Sequence, residues 1–163
     1  MSAVDELEQQ DDVSSQELVD TEQYLTFIMA EEEYGVDILA VQEIRGWESA
    51  TPVPNSPEHI KGVINLRGTI VPIMDLRQRF GLQAIDYGEE TVVVVLKIHT
   101  SRGDRVMGII VDAISDVYDV PTENVKSTGL GENVNARFIR GLVSVNKGMV
   151  ILLELEKLLT IED

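Results

Sequence analysis

The sequence predicts a mainly β protein built as two small, similar barrels with short helices. Three observations predict it. Short runs rich in Val, Ile, Thr and aromatics recur between turn signals, no amphipathic helix pattern runs longer than two turns, and the pattern of the first half returns in the second.

Gln23 to Met29 is a β-branched and aromatic run with partial alternation. Glu31–Glu33 form a polar turn and Tyr34-Gly35-Val36-Asp37-Ile38 returns, which predicts a hairpin. Ile38, Val41 and Ile44 then recur every third residue, with Gly46 as a stop, and predict one or two helical turns over Leu39–Arg45. Pro52, Pro54 and Pro57 impose an extended connector, after which Ser56 can cap a short helix through Ile60. Gly62 to Asp75 reads as a second hairpin turning near Arg67-Gly68, with Pro72 calling for an edge strand or a bulge. Asp75 can cap a helix through Phe80, closed by Gly81.

Thr91 to Ile98 is a near-continuous apolar strand, Thr100–Arg105 a hairpin turn, and Val106–Val111 the returning strand. A shift of 73 places Gly35 on Gly108, Val41 on Ile114, Glu43 on Asp116 and Ile44 on Val117. A shift of 79 places Gly62 on Gly141, Val71 on Val150 and Asp75 on Glu154. The extra residues of the second copy fall at 121–136. The two copies span about 23–84 and 90–160. Five short strands with a helix at one end can close into a barrel that leaves no open edge, and two such barrels related by a pseudo-twofold axis leave a groove between them. Whether strands pass from one barrel to the other stays open at this level.

Composition narrows the function. The 163 residues hold 29 acidic and 13 basic side chains, a net charge of −16, and no cysteine. Eight of the acids and none of the bases lie in residues 1–22, leaving −8 on the other 141 residues. Such a stretch buries too little apolar area to fold, so 1–22 is expected to be a disordered tail with a weak helical turn at Val13–Val19. It is either a solubilising tail or an acidic docking segment. The charge disfavours nucleic acid and anionic membrane surfaces. The missing cysteines exclude disulfides and thiolate metal sites. No apolar run approaches the ~18–20 residues of a membrane span, and no secretory signal precedes the domain, so a cytoplasmic location is expected.

Little here supports chemistry. His59 and His99 stand in no metal-ligand spacing. Gly129-Leu130-Gly131 begins like a dinucleotide fingerprint but lacks its third glycine. Asp75 and Glu154 are repeat-related carboxylates that suit a general acid–base pair of a duplicated-barrel hydrolase, or simply helix starts, where a carboxylate complements the dipole. A barrel that binds a small ligand is a further rival. Trp47 reads as packing or as an interface anchor. Arg67, at a hairpin tip whose geometry does not demand arginine, reads as a solvated turn charge or as a contact for a partner carboxylate.

Tyr34–Ile38, Val41–Arg45, Ile60–Gly68, Val71–Arg77 and Gly108–Asp112, in this order, strongly resemble the CheW-like family of chemotaxis coupling proteins, over roughly residues 23–160. The resemblance implies two SH3-like five-stranded barrels and a non-catalytic adaptor without cofactors. It implies as partners the helical-hairpin tip of chemoreceptors, the regulatory domain of the chemotaxis histidine kinase, and other copies in array rings beneath the inner membrane. A scaffold of a non-flagellar array, controlling surface motility or biofilm, is the alternative. Carried onto this chain, the receptor contacts are Val41, Glu43, Ile44, Arg67, Val92 and Ile114, with Gly62 and Gly68 shaping the hairpin. Barrel-end positions near Trp47 and Arg102 are nominated for the kinase.

Overall fold

Among the described residues, ten strands form two five-stranded sheets whose members interleave along the chain. The structure is a computed structural model that describes residues 20–127, 136–146 and 148–160. The tail readings on residues 1–19 and the glycine-rich stretch at 129–134 lie outside the described residues.

The strands are β1 (Thr21–Met29), β2 (Glu32–Asp37), β3 (Val41–Gly46), β4 (Ile60–Leu66), β5 (Thr69–Asp75), β6 (Val92–Thr100), β7 (Gly103–Val111), β8 (Ala113–Pro121), β9 (Ile139–Val145) and β10 (Gly148–Leu153). Two one-turn helices, α1 (Leu76–Arg79) and α2 (Leu155–Leu158), follow β5 and β10. The sheet orders are β8-β1-β2-β10-β9 and β3-β6-β7-β5-β4. Replacing each strand of the first order by the one five places away gives the second, so the two sheets share one plan. Each sheet joins a hairpin from one half of the chain to three strands from the other.

Isolated bridges close each sheet on itself. Thr51, beyond β3, exchanges two 2.9 Å backbone hydrogen bonds with Val63 of β4, and Lys126, beyond β8, exchanges bonds of 2.8 and 2.7 Å with Leu142 of β9. The proline connector is extended because Thr51 is needed for this closure. Gly62 has φ +146° and an added Cβ would stand 2.3 Å from the Thr51 carbonyl oxygen; at Gly141 it would stand 2.9 Å from that of Lys126. Glycine lets the two backbones approach at both seams.

Alternation sorts the apolar side chains into three cores. Val93 and Val95 join Val71, Ile73 and Ile110 inside one barrel, while Tyr24, Val150 and Leu152 fill the other. Leu25, Phe27 and Val36 of the first sheet meet Val94, Leu96 and Ile109 of the second in the largest cluster, between the barrels. Phe80, just past α1, stacks on Phe138 at 5.7 Å and touches Tyr34 at 5.7 Å, carrying aromatic packing across the junction.

Three local expectations need correction. Leu39–Arg45 is not a helix: a 3-10 turn at Ile38–Ala40 runs directly into β3. The every-third spacing comes from that turn plus a β-bulge between Val41 and Glu43, which slips the alternation by one residue. No helix follows Ser56, whose hydroxyl instead donates to the Val53 carbonyl at 2.8 Å. β5 is an interior strand; Pro72 is tolerated because pairing with β7 begins only at Ile73.

Candidate functional site

The receptor-contact residues nominated from sequence sit on three strands and one turn. β3 supplies Val41, Glu43 and Ile44, β6 supplies Val92, β8 supplies Ile114, and the two-residue turn between β4 and β5 supplies Arg67. The turn is tight because Leu66 pairs with Thr69, which forces positive φ on both central residues, +52° at Arg67 and +91° at Gly68. Asn65 braces it, its Oδ1 accepting from the Gly68 N–H at 2.7 Å. Arg67 is thus a side chain held on a stiff tip, not a loose charge.

Its guanidinium reaches β3. Arg67 Nη2 donates to Glu43 Oε1 at 2.9 Å, and Arg45 Nη1 stands 3.8 Å from Glu43 Oε2. Glu43 is therefore flanked by two cations on an accessible surface. Val41, Val92 and Ile114 are half-buried and pack against the cluster between the barrels, whereas Ile44 is 42% exposed. The structure brings Glu43 and Arg67 into contact and sets the three half-buried residues around the inter-barrel core. The strand register sets Glu43 opposite Val95, and Val41 and Ile44 opposite Leu96 and Val94, so the ion pair and the apolar residues of β3 occupy alternate faces of the sheet.

Trp47 and Arg102 do not share a surface. The Trp47 N–H donates to the Thr91 carbonyl at 3.1 Å, just before β6, and its ring meets Tyr87 edge-on at 4.9 Å. Arg102 lies beyond the far end of β6, whose nine residues span about 30 Å. Trp47 packs against the core of its barrel.

The repeat-related carboxylates Asp75 and Glu154 each stand at the start of a one-turn helix. Asp75 is buried, accepts from the Gln78 N–H at 3.1 Å at the start of α1, and accepts the Tyr87 hydroxyl. Burial, and then this bond to Asp75, push the Tyr87 hydroxyl well above its ordinary pKa. Glu154 holds the matching position before α2, but its longer side chain makes no capping bond. Among the described residues no cluster of His, Asp or Glu could hold a metal ion, and no helix is long and apolar enough to cross a membrane.

One polar tie crosses the junction near these elements. Asp112, between β7 and β8, accepts from Arg77 Nε at 2.9 Å, from Arg77 Nη2 at 2.7 Å, and from the Ala30 N–H at 2.9 Å. Burial opposes its charge, but the bonds from Arg77 and Ala30 outweigh that and hold the carboxyl below the usual range. Sequence reasoning placed Asp112 in a family motif but missed this contact, since an Asp between two strands carries no signal of a partner 35 positions away.

The CheW-like domain family matches residues 23–163. The chemotaxis protein CheW of Klebsiella aerogenes is 44% identical over 87% of this chain and 84% of its own. The chemotaxis protein CheW of Treponema pallidum is 36% identical over 83% and 81%. Among solved structures, the scaffolding protein TtCheW of Thermoanaerobacter tengcongensis superposes with a TM-score of 0.77 at 29% identity, covering 88% of this chain and 90% of that one.

Proposed function

This chain belongs to the CheW-like domain family, and from that premise we propose that it joins the cytoplasmic tip of chemoreceptors to the regulatory domain of the chemotaxis histidine kinase. It is a non-catalytic coupling adaptor of chemotaxis. Its task is to hold two partners so that the state of one biases the activity of the other.

The observation that supports the receptor reading is the exposed Glu43–Arg67 pair on β3 and its neighbouring hairpin tip, together with half-buried Val41, Val92 and Ile114 around the inter-barrel core. A receptor tip is a helical hairpin. A helix binds a surface that takes its apolar face and anchors its polar flank. Ile44 adds exposed apolar area on β3. Gly62 and Gly68 act indirectly, one at the seam with Thr51 and the other at the turn that carries Arg67. Kinase contacts are assigned to barrel ends near Trp47 and Arg102, two separate faces, as an element bridging neighbours in a ring requires. Other copies of the chain would occupy the same ring positions, in the cytoplasm beneath the inner membrane.

The test is reconstitution of the chain with a receptor cytoplasmic hairpin and the cognate kinase, reading autophosphorylation. Stimulation that needs all three components is the expected result. A kinase equally active with receptor alone, or with this chain alone, would refute the coupling role.

A further inference from the structure

The tip of the β6–β7 hairpin and α2 enclose a cleft of about 340 Å3 lined by Arg102, Arg105, Lys157 and Glu156 among hydroxyl side chains. Three cations against one acid is unusual for this chain, whose residues beyond the first 22 carry −8. Arg67, Arg77, Lys97 and Arg140 each have a carboxylate partner. Among the described residues, Arg102, Arg105 and Lys157 have none within ion-pair distance. Arg105 is fixed in the cleft wall by donating to the Leu159 carbonyl at 3.2 Å.

The shape favours a peptide over a free phosphate. The cleft is far larger than one phosphate. Two of its hydroxyls are already committed, Thr100 to the Gly103 carbonyl at 2.7 Å and Thr160 to the Glu156 carbonyl at 3.0 Å. What remains is a group of three cations suited to several carboxylates of one peptide.

We propose that this cleft docks the acidic N-terminal segment, residues 1–19, of the same chain. That segment holds Asp5, Glu6, Glu8, Asp11, Asp12 and Glu17 and no Lys or Arg. A net negative body repels it, so a cleft of net positive charge is where it gains most. Reach is not limiting: 19 residues can span about 60 Å, against a radius of gyration of about 15 Å for a domain of this size. The tether also holds the segment at an effective concentration of about millimolar.

The test is zero-length carbodiimide crosslinking of the full chain at low concentration, mapped by peptide mass spectrometry. Of the five lysines, Lys157 lies in the cleft, and Lys126 is exposed outside it. The expected result is links from Lys157 to acids of residues 1–19 within one chain, several-fold above those from Lys126. Arg102→Glu, at an exposed turn position, should cut the Lys157 yield several-fold, leave Lys126 unchanged, and keep the circular dichroism of the parent. Equal yields at the two lysines would overturn the proposal. So would indifference to Arg102→Glu, dominant links from Lys157 to Glu162 or Asp163, or links found only between two chains.

Discussion

Arg67 Nη2 and Glu43 Oε1 stand 2.9 Å apart across 24 residues of sequence, joining the tip of the β4–β5 hairpin to β3. Arg67 remains 75% exposed in this contact. An ion pair so open to water contributes little to folding, on the order of 0.2–1 kcal/mol. It leaves a guanidinium with several donors still open to water at the hairpin tip.

Arg67→Glu places two carboxylates where the pair was. Denaturant unfolding should show a loss below about 1 kcal/mol. Receptor-dependent kinase activation should fall about tenfold or more, the loss of a charged contact of at least ~1.4 kcal/mol. The double exchange Arg67→Glu with Glu43→Arg restores an internal pair but reverses its polarity. If it restores activation fully, the pair is merely structural and Arg67 does not meet the partner.

The hairpins and the repeat were readable because each rests on a local rule: a turn that needs glycine, a strand that alternates, a carboxylate that caps. Gly62 and Gly141 match across the repeat because each stands at a seam where a Cβ would meet a backbone carbonyl. β3 was misread because the bulge after Val41 shifts its phase, and a shifted strand next to a 3-10 turn imitates a helix. The interleaving of strands between barrels was not legible at all. Pairing β2 with β10 joins residues such as Gly35 and Leu152 that no local pattern connects. The same holds for the site: Arg67 was conspicuous at its turn, but its contact with Glu43 is a tertiary fact.

The seam predicts an order of cost between two glycines. Gly62→Ala puts a Cβ against the Thr51 carbonyl oxygen and should cost about 3 kcal/mol or more, because backbone on both sides must move. Gly68→Ala meets no neighbour within 4 Å and only strains φ, for about 1–2 kcal/mol. Urea midpoints of the two variants rank them. Equal costs would mean that the seam yields easily.

The two repeat-related carboxylates should behave unequally. Tyr87→Phe leaves Asp75 buried with one bond fewer and should cost about 1–2 kcal/mol. Glu154→Gln removes no capping bond and should stay within about 0.5 kcal/mol. Both changes should leave receptor-dependent kinase activation near that of the parent. A matched loss of some hydrolytic turnover in the two would instead restore the acid–base pair as a rival.

Asp112 should tie stability to pH. Its carboxyl titrates lower in the folded chain than in the unfolded one, where the ordinary value is about 3.9. The folded state therefore binds fewer protons in this range, and stability falls as pH falls. The contribution is fully present above the unfolded value and is lost as pH drops through the depressed folded value. Asp112→Asn keeps the shape but not the charge, so at pH near 7 it should cost about 1–3 kcal/mol through the weakened hold on Arg77 and Ala30. On acidification the parent should lose stability faster than the variant, and their urea midpoints should converge below about pH 4. Parallel curves for parent and variant down to that pH would mean that the bonds from Arg77 and Ala30 do not depress the carboxyl, and that the tie across the junction is only geometric.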